Sequence, residues 1–299
     1  MVNKTYGIFY NENSGSGEAK RIAHRLASSF DKVNCPNEYL VADTVDKVIN
    51  KIKKSLDHID TLVVIGGDGT INIGITAMIQ AKQSVNLAVI PSGTVNNFAR
   101  YYQIPTDIDA AIELIIKEHS DLNVGIISCN KEKAVISSLT FGNLADISND
   151  VRQQEKRKFG KIIYVAKAIK HIGRNKSFKI KYVFDDGTNE TLKTWFTLIT
   201  TIKSVGGHIY TESAPNKMHM SILHNIGFRQ LLPYVWFSLT GKLSASKSIT
   251  QYHVSTAHID SVNENQSITT RIDGDKSVSL PIDLEYLPDY LTLTVPSNH

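Results

Sequence analysis

Asp68 stands alone among glycines in Gly66-Gly67-Asp68-Gly69-Thr70, directly after the apolar run Val63-Val64-Ile65. Two other stretches share this texture: NENSGSGEA from Asn11 to Ala19, and PSGTVNNFAR from Pro91 to Arg100. Each follows an apolar β-like run, is rich in Gly, Ser, Thr or Asn, and leads into a helical pattern. Glycine lets backbone N–H groups come close to a phosphate, and the start of the following helix adds partial positive charge. The hydroxyls of Ser14, Ser16, Thr70, Ser92 and Thr94 add side-chain donors. Asp68 repels phosphate, so its chemistry is that of a carboxylate holding a Mg²⁺ that bridges phosphates. Glycine-rich turns between strand and helix also arise for steric reasons alone. Three of them at corresponding strand ends point instead to one nucleotide–metal crevice, because ligands of parallel α/β sheets bind beyond the carboxyl ends of the strands.

The elements that must hold these loops are legible as alternating patterns. Strands are predicted at Thr5–Tyr10, Glu38–Val41, Thr61–Ile65, Leu87–Ile90 and Asn123–Ser128. Between them, apolar residues recur three or four apart: Ile22, Leu26 and Phe30 in one stretch, Val45, Val48, Ile49, Ile52 and Leu56 in another. A further helix is expected after Pro105, with Thr106 as its cap and Asp109 three residues later. Short, all-apolar strands in a βαβα order predict a parallel sheet covered on both faces. After about residue 130 the runs are β-branched and often alternating, with hairpin signals at DDGTNE (185–190) and DGDK (273–276). The expected fold class is therefore α/β: an N-terminal nucleotide-binding domain over 1–125 and a β-rich sandwich or barrel over 126–287. Helices are expected within the latter near Lys161–Ile172 and Phe228–Leu239.

Of 299 residues, 41% are hydrophobic and 21% charged, a composition that supports a buried core. No apolar run approaches the 18 or so residues of a membrane span, and MVNKTYGIFY lacks the sections of a signal peptide. Cys35 and Cys129 have no metal-type spacing, and a reduced, cytoplasmic setting fits them. The net charge of +4 conceals an asymmetry. Residues 151–181 hold eleven Lys or Arg and one acid, whereas the rest of the chain holds 22 basic and 28 acidic residues. Such a segment predicts an anionic partner met at one place. In GKIIYVAKAIKHIG (160–173), Ile162, Val165, Ile169 and Ile172 would share one helical side, with Lys161, Lys167 and Lys170 off it. That suits a protein held peripherally at an anionic membrane surface; the same lysines also suit a plain solvated face. Nucleic acid is not expected, because aromatic residues are sparse in the segment and no binding motif is present. If the scattered histidines gather anywhere, His208, His219 and His224 are the candidates.

GGDGT followed by PSGTVNNFAR resembles the diacylglycerol kinase catalytic-domain family, which includes bacterial soluble lipid kinases and sphingosine kinases. GGDGT alone is shared with NAD kinases. The second loop discriminates, since Pro91, Gly93, Thr94, Asn96, Phe98, Ala99 and Arg100 stand in the register of P-x-G-T-x-N-D-F-A-R. The first loop resembles N-P-x-S-G-x-G, with Glu12 in place of proline. The resemblance implies ATP-dependent transfer of the γ-phosphoryl group to a hydroxyl of diacylglycerol or a related membrane lipid, with Mg²⁺ as cofactor. It assigns the nucleotide to Asn11, Ser14, Gly15, Gly17, Gly66, Gly67, Gly69, Thr70, Ser92, Gly93, Thr94 and Asn96, and the metal to Asp68. It also implies that the last strand, within 288–299, returns to the first domain, and it makes a homodimer an expectation. The base of a late D-G-E turn is replaced by Asp275 in Asp273-Gly274-Asp275. Several family acids are missing: Asn97 and Ile73 stand at acidic positions, and SAPNKMHMSIL (213–223) lacks the expected D-D-G. A non-catalytic nucleotide- or lipid-binding member of the fold, and an NAD kinase-like enzyme for a small metabolite, are the alternatives.

Overall fold

A strand points successive side chains to opposite faces, so a run that is apolar at every position is buried only where both faces are covered. That is the situation of β1 (Tyr6–Tyr10), with α1 (Glu18–Lys32) and β2 (Asn37–Tyr39) following it, in the computed structural model of the chain. The structure describes residues 4–11, 18–117, 120–143, 177–201, 204–205, 208–209, 216–224, 249–263 and 265–297. Ser14, Ser16, Gly15 and Gly17, both helices expected after residue 160, and the 151–176 part of the basic segment lie outside the described residues.

The chain divides into two compact units, Met1–Ile136 with Leu287–His299, and Ser137–Tyr286. In the first, α2 (Val45–Ser55), β3 (Thr61–Gly66), α3 (Asp68–Ala81), β4 (Asn86–Pro91), α4 (Asn97–Tyr101) and α5 (Ile108–Ile116) continue the alternation. Next in this unit come β5 (Ser120–Cys129) and β6 (Lys133–Val135), an antiparallel pair. Strands β2, β1, β3 and β4 run parallel in that order. One face of this sheet buries Ile8, Tyr10, Val63, Ile65, Ala88 and Ile90 against α1 and α5. The other buries Phe9, Leu62, Val64, Leu87 and Val89 against α2 and α3. Full burial of each Val, Leu, Ile or Phe side chain among these contributes about 1.5–3 kcal/mol.

The cap of α5 differs from expectation. Asp107, not Thr106, is its N-cap, and its carboxylate accepts the N–H of Ala110 at 2.9 Å. Starting the helix one residue later still buries Ala111, Ile112 and Ile115, and leaves Asp109 to pair with Arg25 of α1. Thr44 caps α2, accepting from the N–H of Lys47.

In the second unit come β7 (Ser138–Gly142), β8 (Phe178–Phe184), β9 (Asn189–Thr194), β10 (Phe196–Thr200), and the short β11 (Ser204–Val205) and β12 (His208–Ile209). They are followed by β13 (Met218–Leu223), β14 (Ile249–Val254), β15 (Thr256–Ser261), β16 (Thr269–Ile272) and β17 (Asp275–Ser279). The last strand, β18 (Ile282–Val295), begins in this unit and ends in the first, where Leu293 pairs in parallel with Leu87. One antiparallel sheet has the order β14-β13-β10-β7-β16-β17. A second array joins β8 to β9 and β15, and β15 to the start of β18, again antiparallel.

The Tyr182 hydroxyl on β8 bridges these arrays, bonding to Thr194 at 2.9 Å and to Thr197 of β10 at 3.0 Å. All three residues are fully buried, and burial pushes the Tyr182 phenol well above its usual pKa. Tyr182→Phe strands two buried threonine hydroxyls and is expected to cost about 1–3 kcal/mol, read by denaturant unfolding.

At the DDGTNE hairpin, burial opposes the charge of Asp185, but N–H groups of Ser255 and Thr256 donate to it and hold its carboxyl below the ordinary range. A carboxyl depressed on folding stabilises above its unfolded pKa of about 4, and that contribution is lost as pH falls through the folded value. The stability gap between the protein and its Asp185→Asn variant should therefore be widest near neutrality and close below about pH 4. A gap independent of pH, in thermal unfolding across that window, would contradict this assignment.

Candidate functional site

Loops β3–α3 and β4–α4 leave adjacent parallel strands, whose pairing runs to Gly66 opposite Pro91. Beyond it the Ser92 N–H donates to the Gly66 carbonyl at 3.1 Å, so the two loops start side by side. They then touch backbone to backbone. A Cβ placed on Gly93 would lie 2.5 Å from the Gly67 Cα and 2.7 Å from Asn96 Oδ1. These two glycines are required by the contact between the loops, whether or not a phosphate is present.

Asp68, the first residue of α3, ties the pair together. One carboxylate oxygen accepts the N–H of Asn97 at 3.0 Å and the other that of Phe98 at 2.9 Å. It thus satisfies donors at the start of α4 that have no partner within the helix. Asn96, buried and in the left-handed region at φ 54°, closes its own loop. Its Oδ1 accepts the Gly93 N–H at 3.0 Å and its Nδ2 donates to the Gly93 carbonyl at 2.9 Å. Asparagine tolerates that conformation because its short amide bonds locally.

The predicted site residues of the first unit thus sort into two kinds. Thr70 is buried against Gly66, and Asn96 is buried on Gly93, so both serve the loop architecture. Ser92, Thr94 and Gly69 are exposed on the same loops, beside the half-buried Asp68 and Gly67. Asn11 lies at the end of β1. The brace role of Asp68 is a finding the sequence reading missed: its partners are backbone groups 29 and 30 residues away, invisible in any motif.

In the second unit, Asp273 and Gly274 take successive positive φ values of 52° and 99°, the signature of a type I′ turn, between Ile272 of β16 and Asp275 of β17. The two acids differ in standing. Asp273 Oδ1 accepts the Ser137 N–H and hydroxyl, both at 2.8 Å, and the Ser138 N–H at 3.0 Å. Asp275 is exposed at the head of β17.

Among the described residues no three His, Cys, Asp or Glu side chains form a metal-ligating group. The His219 ring packs edge-on against His253 with centroids 4.4 Å apart, and His224 bonds to Thr250 and the Lys193 carbonyl. Each Asp68 oxygen accepts one N–H and retains a lone pair. The residues therefore fit a Mg²⁺ carried chiefly by phosphates and water, with one protein carboxylate, rather than a cage of acids. Also among the described residues, no helix is long and apolar enough to cross a membrane.

Residues 5–126 match the family model for the diacylglycerol kinase catalytic domain. A Staphylococcus epidermidis protein provisionally named a lipid kinase is 24% identical over 304 residues, covering 96% of this chain and 94% of its own. A diacylglycerol kinase of Staphylococcus saprophyticus is 28% identical over 187 residues, which cover 62% of this chain and 60% of that one. Among solved structures, a Bacillus anthracis protein provisionally described as a diacylglycerol kinase aligns over 99% of this chain and 96% of its own. Its TM-score is 0.78 at 19% identity, a likeness of fold. The mixed α/β architecture and the resemblance read from the two loops are borne out.

Proposed function

We propose that the chain, which matches the diacylglycerol kinase catalytic-domain model over residues 5–126 and is similar to a diacylglycerol kinase, is a phosphotransferase that moves the γ-phosphoryl group of ATP to a hydroxyl of diacylglycerol or a related membrane lipid. The observation that carries the reading is the pair of loops braced by Asp68 at the ends of β3 and β4. One loop carries the exposed Ser92 and Thr94 hydroxyls, and the other opens the 14-residue helix α3, a helix start at which phosphate oxygens are favoured.

Asp68 would hold a Mg²⁺, which when bound neutralises charge developing on the transferring phosphoryl group. The braced loops keep the β- and γ-phosphates in one orientation, so little reorganisation is needed at the moment of transfer. Asp275, exposed at the head of β17, takes the proton from the acceptor hydroxyl as its oxygen bonds to phosphorus; the bond from the γ-phosphorus to the bridging oxygen breaks and ADP leaves. The missing family acids leave the phosphates themselves as the main cation ligands. The basic segment at 151–181 supports a peripheral meeting with an anionic leaflet, at about 1 kcal/mol per Lys or Arg near the surface.

The test offers Mg·ATP labelled at the γ-phosphorus to the chain with diacylglycerol in mixed micelles, and separately with NAD. Label in the lipid alone is expected. Label in NAD without lipid, or in neither acceptor, would overturn the reading.

A further inference from the structure

Helix α1 buries Ala19, Ile22, Ala23, Leu26, Ala27 and Phe30 against the sheet. The rest of its surface must be polar, but packing does not dictate the sign of its charge. Here the sign is one-sided. Arg21, Arg25, Ser28 and Lys32 recur at i, i+4, i+7 and i+11 and so share one stripe, with His24 and Ser29 beside it. Arg21 and Arg25 are like charges one turn apart, an arrangement that destabilises a helix unless something neutralises it.

This stripe forms most of a cavity of about 450 Å³ within the first unit. His24 and Ser29 complete the α1 wall, and Asp109 and Ile112 of α5 stand opposite. The volume is that of a small-ligand cleft. Ile112 is the one apolar residue among these walls, so they offer little to an acyl chain or a nucleobase and many donors to an anion.

Three cations face one acid, Asp109, and each of them remains usable. Arg21 pairs with Glu18 at 2.9 Å, but both side chains are more than half exposed and Glu18 is not a wall of the cavity. Exchanging so exposed a pair for a ligand costs little. Arg25 pairs with Asp109, and its guanidinium has more N–H donors than one carboxylate takes up. Lys32 and Ser28 make no side-chain hydrogen bond to the described residues. The His24 ring is oriented by its Nδ1, 3.1 Å from the Tyr39 hydroxyl, which leaves Nε2 over. The cavity is also separate from the loops at Asp68: α1 and α5 cover one face of the sheet, and α3 covers the other.

We infer that the cavity between α1 and α5 is a second anion site, which takes the phosphate group of a small polar phosphomonoester through Arg25 and its neighbours on the stripe, Arg21 and Lys32. Ser28 adds a neutral donor. Asp109 holds Arg25 in place and, by its own charge, limits the affinity. A free phosphomonoester and a phosphate headgroup at a lipid surface offer the same oxygens to these cations. The site needs nothing from Asp68 or Asp275.

Binding of radiolabelled inorganic phosphate to the full chain is followed by equilibrium dialysis at fixed ionic strength, with Mg²⁺ and a non-hydrolysable ATP analogue in excess to occupy the nucleotide loops. Saturable phosphate binding is expected. Arg25→Gln should weaken it roughly tenfold, and Arg25→Lys, which keeps the charge, should recover part of the loss. Asp109→Asn is the sharper variant. It weakens the same ion pair but takes the acid out of the cavity wall, and should tighten phosphate binding about threefold. A merely structural pair would give two variants alike in stability, with phosphate binding unmoved. Thermal unfolding, run alongside, checks that these exposed substitutions leave the chain folded. A parallel arm offers phosphatidylcholine vesicles with and without phosphatidic acid. Binding of free phosphate supports the site with a soluble ligand. Arg25-dependent retention on the phosphatidic acid vesicles, without binding of free phosphate, supports it with a lipid headgroup. No saturable binding in either arm, or binding that Arg25→Gln and Asp109→Asn leave unchanged or shift in the same direction, overturns it.

Discussion

Asp68→Asn is expected to reduce phosphoryl transfer roughly 100-fold or more, with a shift to higher Mg²⁺ requirement in what remains. The carboxylate has two tasks that asparagine cannot combine. It accepts the Asn97 N–H on one oxygen and the Phe98 N–H on the other, and it supplies the single protein charge available to a cation among the braced loops. An amide has one acceptor; its NH₂ would face the second backbone N–H and repel it. Asp68→Ala goes further, stranding both donors, and should also lower stability by about 1–3 kcal/mol. Steady-state rates across a Mg²⁺ titration, paired with thermal unfolding, separate the two effects. A variant with full kcat at saturating Mg²⁺ would remove Asp68 from the chemistry and leave it only as a brace.

Gly93→Ala is the second large expectation. Its Cβ would fall 2.5 Å from the Gly67 Cα and 2.7 Å from Asn96 Oδ1, the first a backbone atom that no rotamer change can move. The loops must separate, which strains the Ser92 to Gly66 hydrogen bond and the Asp68 brace together. Overpacking of this kind costs about 1–3 kcal/mol, or several degrees in unfolding temperature for a protein of this size. Nucleotide affinity should fall with it, because the exposed Ser92 and Thr94 ride on the displaced loop. Gly67→Ala is gentler, since the nearest atom to its added Cβ is 3.1 Å away. Thermal unfolding and nucleotide titration of both variants check the order; equal effects would contradict the contact geometry.

Much of the first unit was legible because its strands are short apolar runs that only a sheet covered on both faces can bury; Val63, Val64 and Ile65 are fully buried on alternating sides. The Asp273-Gly274 turn was legible because few residue pairs tolerate two successive positive φ values. The cap of α5 was not, because Thr106 and Asp107 are both good caps and packing of Ala111 and Ile112 decides between them. Asp68 shows the deeper limit. Its residue type announced a carboxylate with a purpose, but the partners that define half of that purpose are N–H groups of a distant turn. Asn72 and Thr76 left a faint signal, polar residues at helical spacing in an apolar helix, whose meaning depends on β6 lying alongside.

The central claim, phosphoryl transfer from ATP to a lipid hydroxyl, is tested most directly by incubating the chain with γ-labelled Mg·ATP and a total membrane-lipid extract, then separating organic-soluble from water-soluble label. A labelled phospholipid that disappears with Asp68→Asn is the expected result. Label confined to water-soluble products, from a protein that binds ATP, would contradict it.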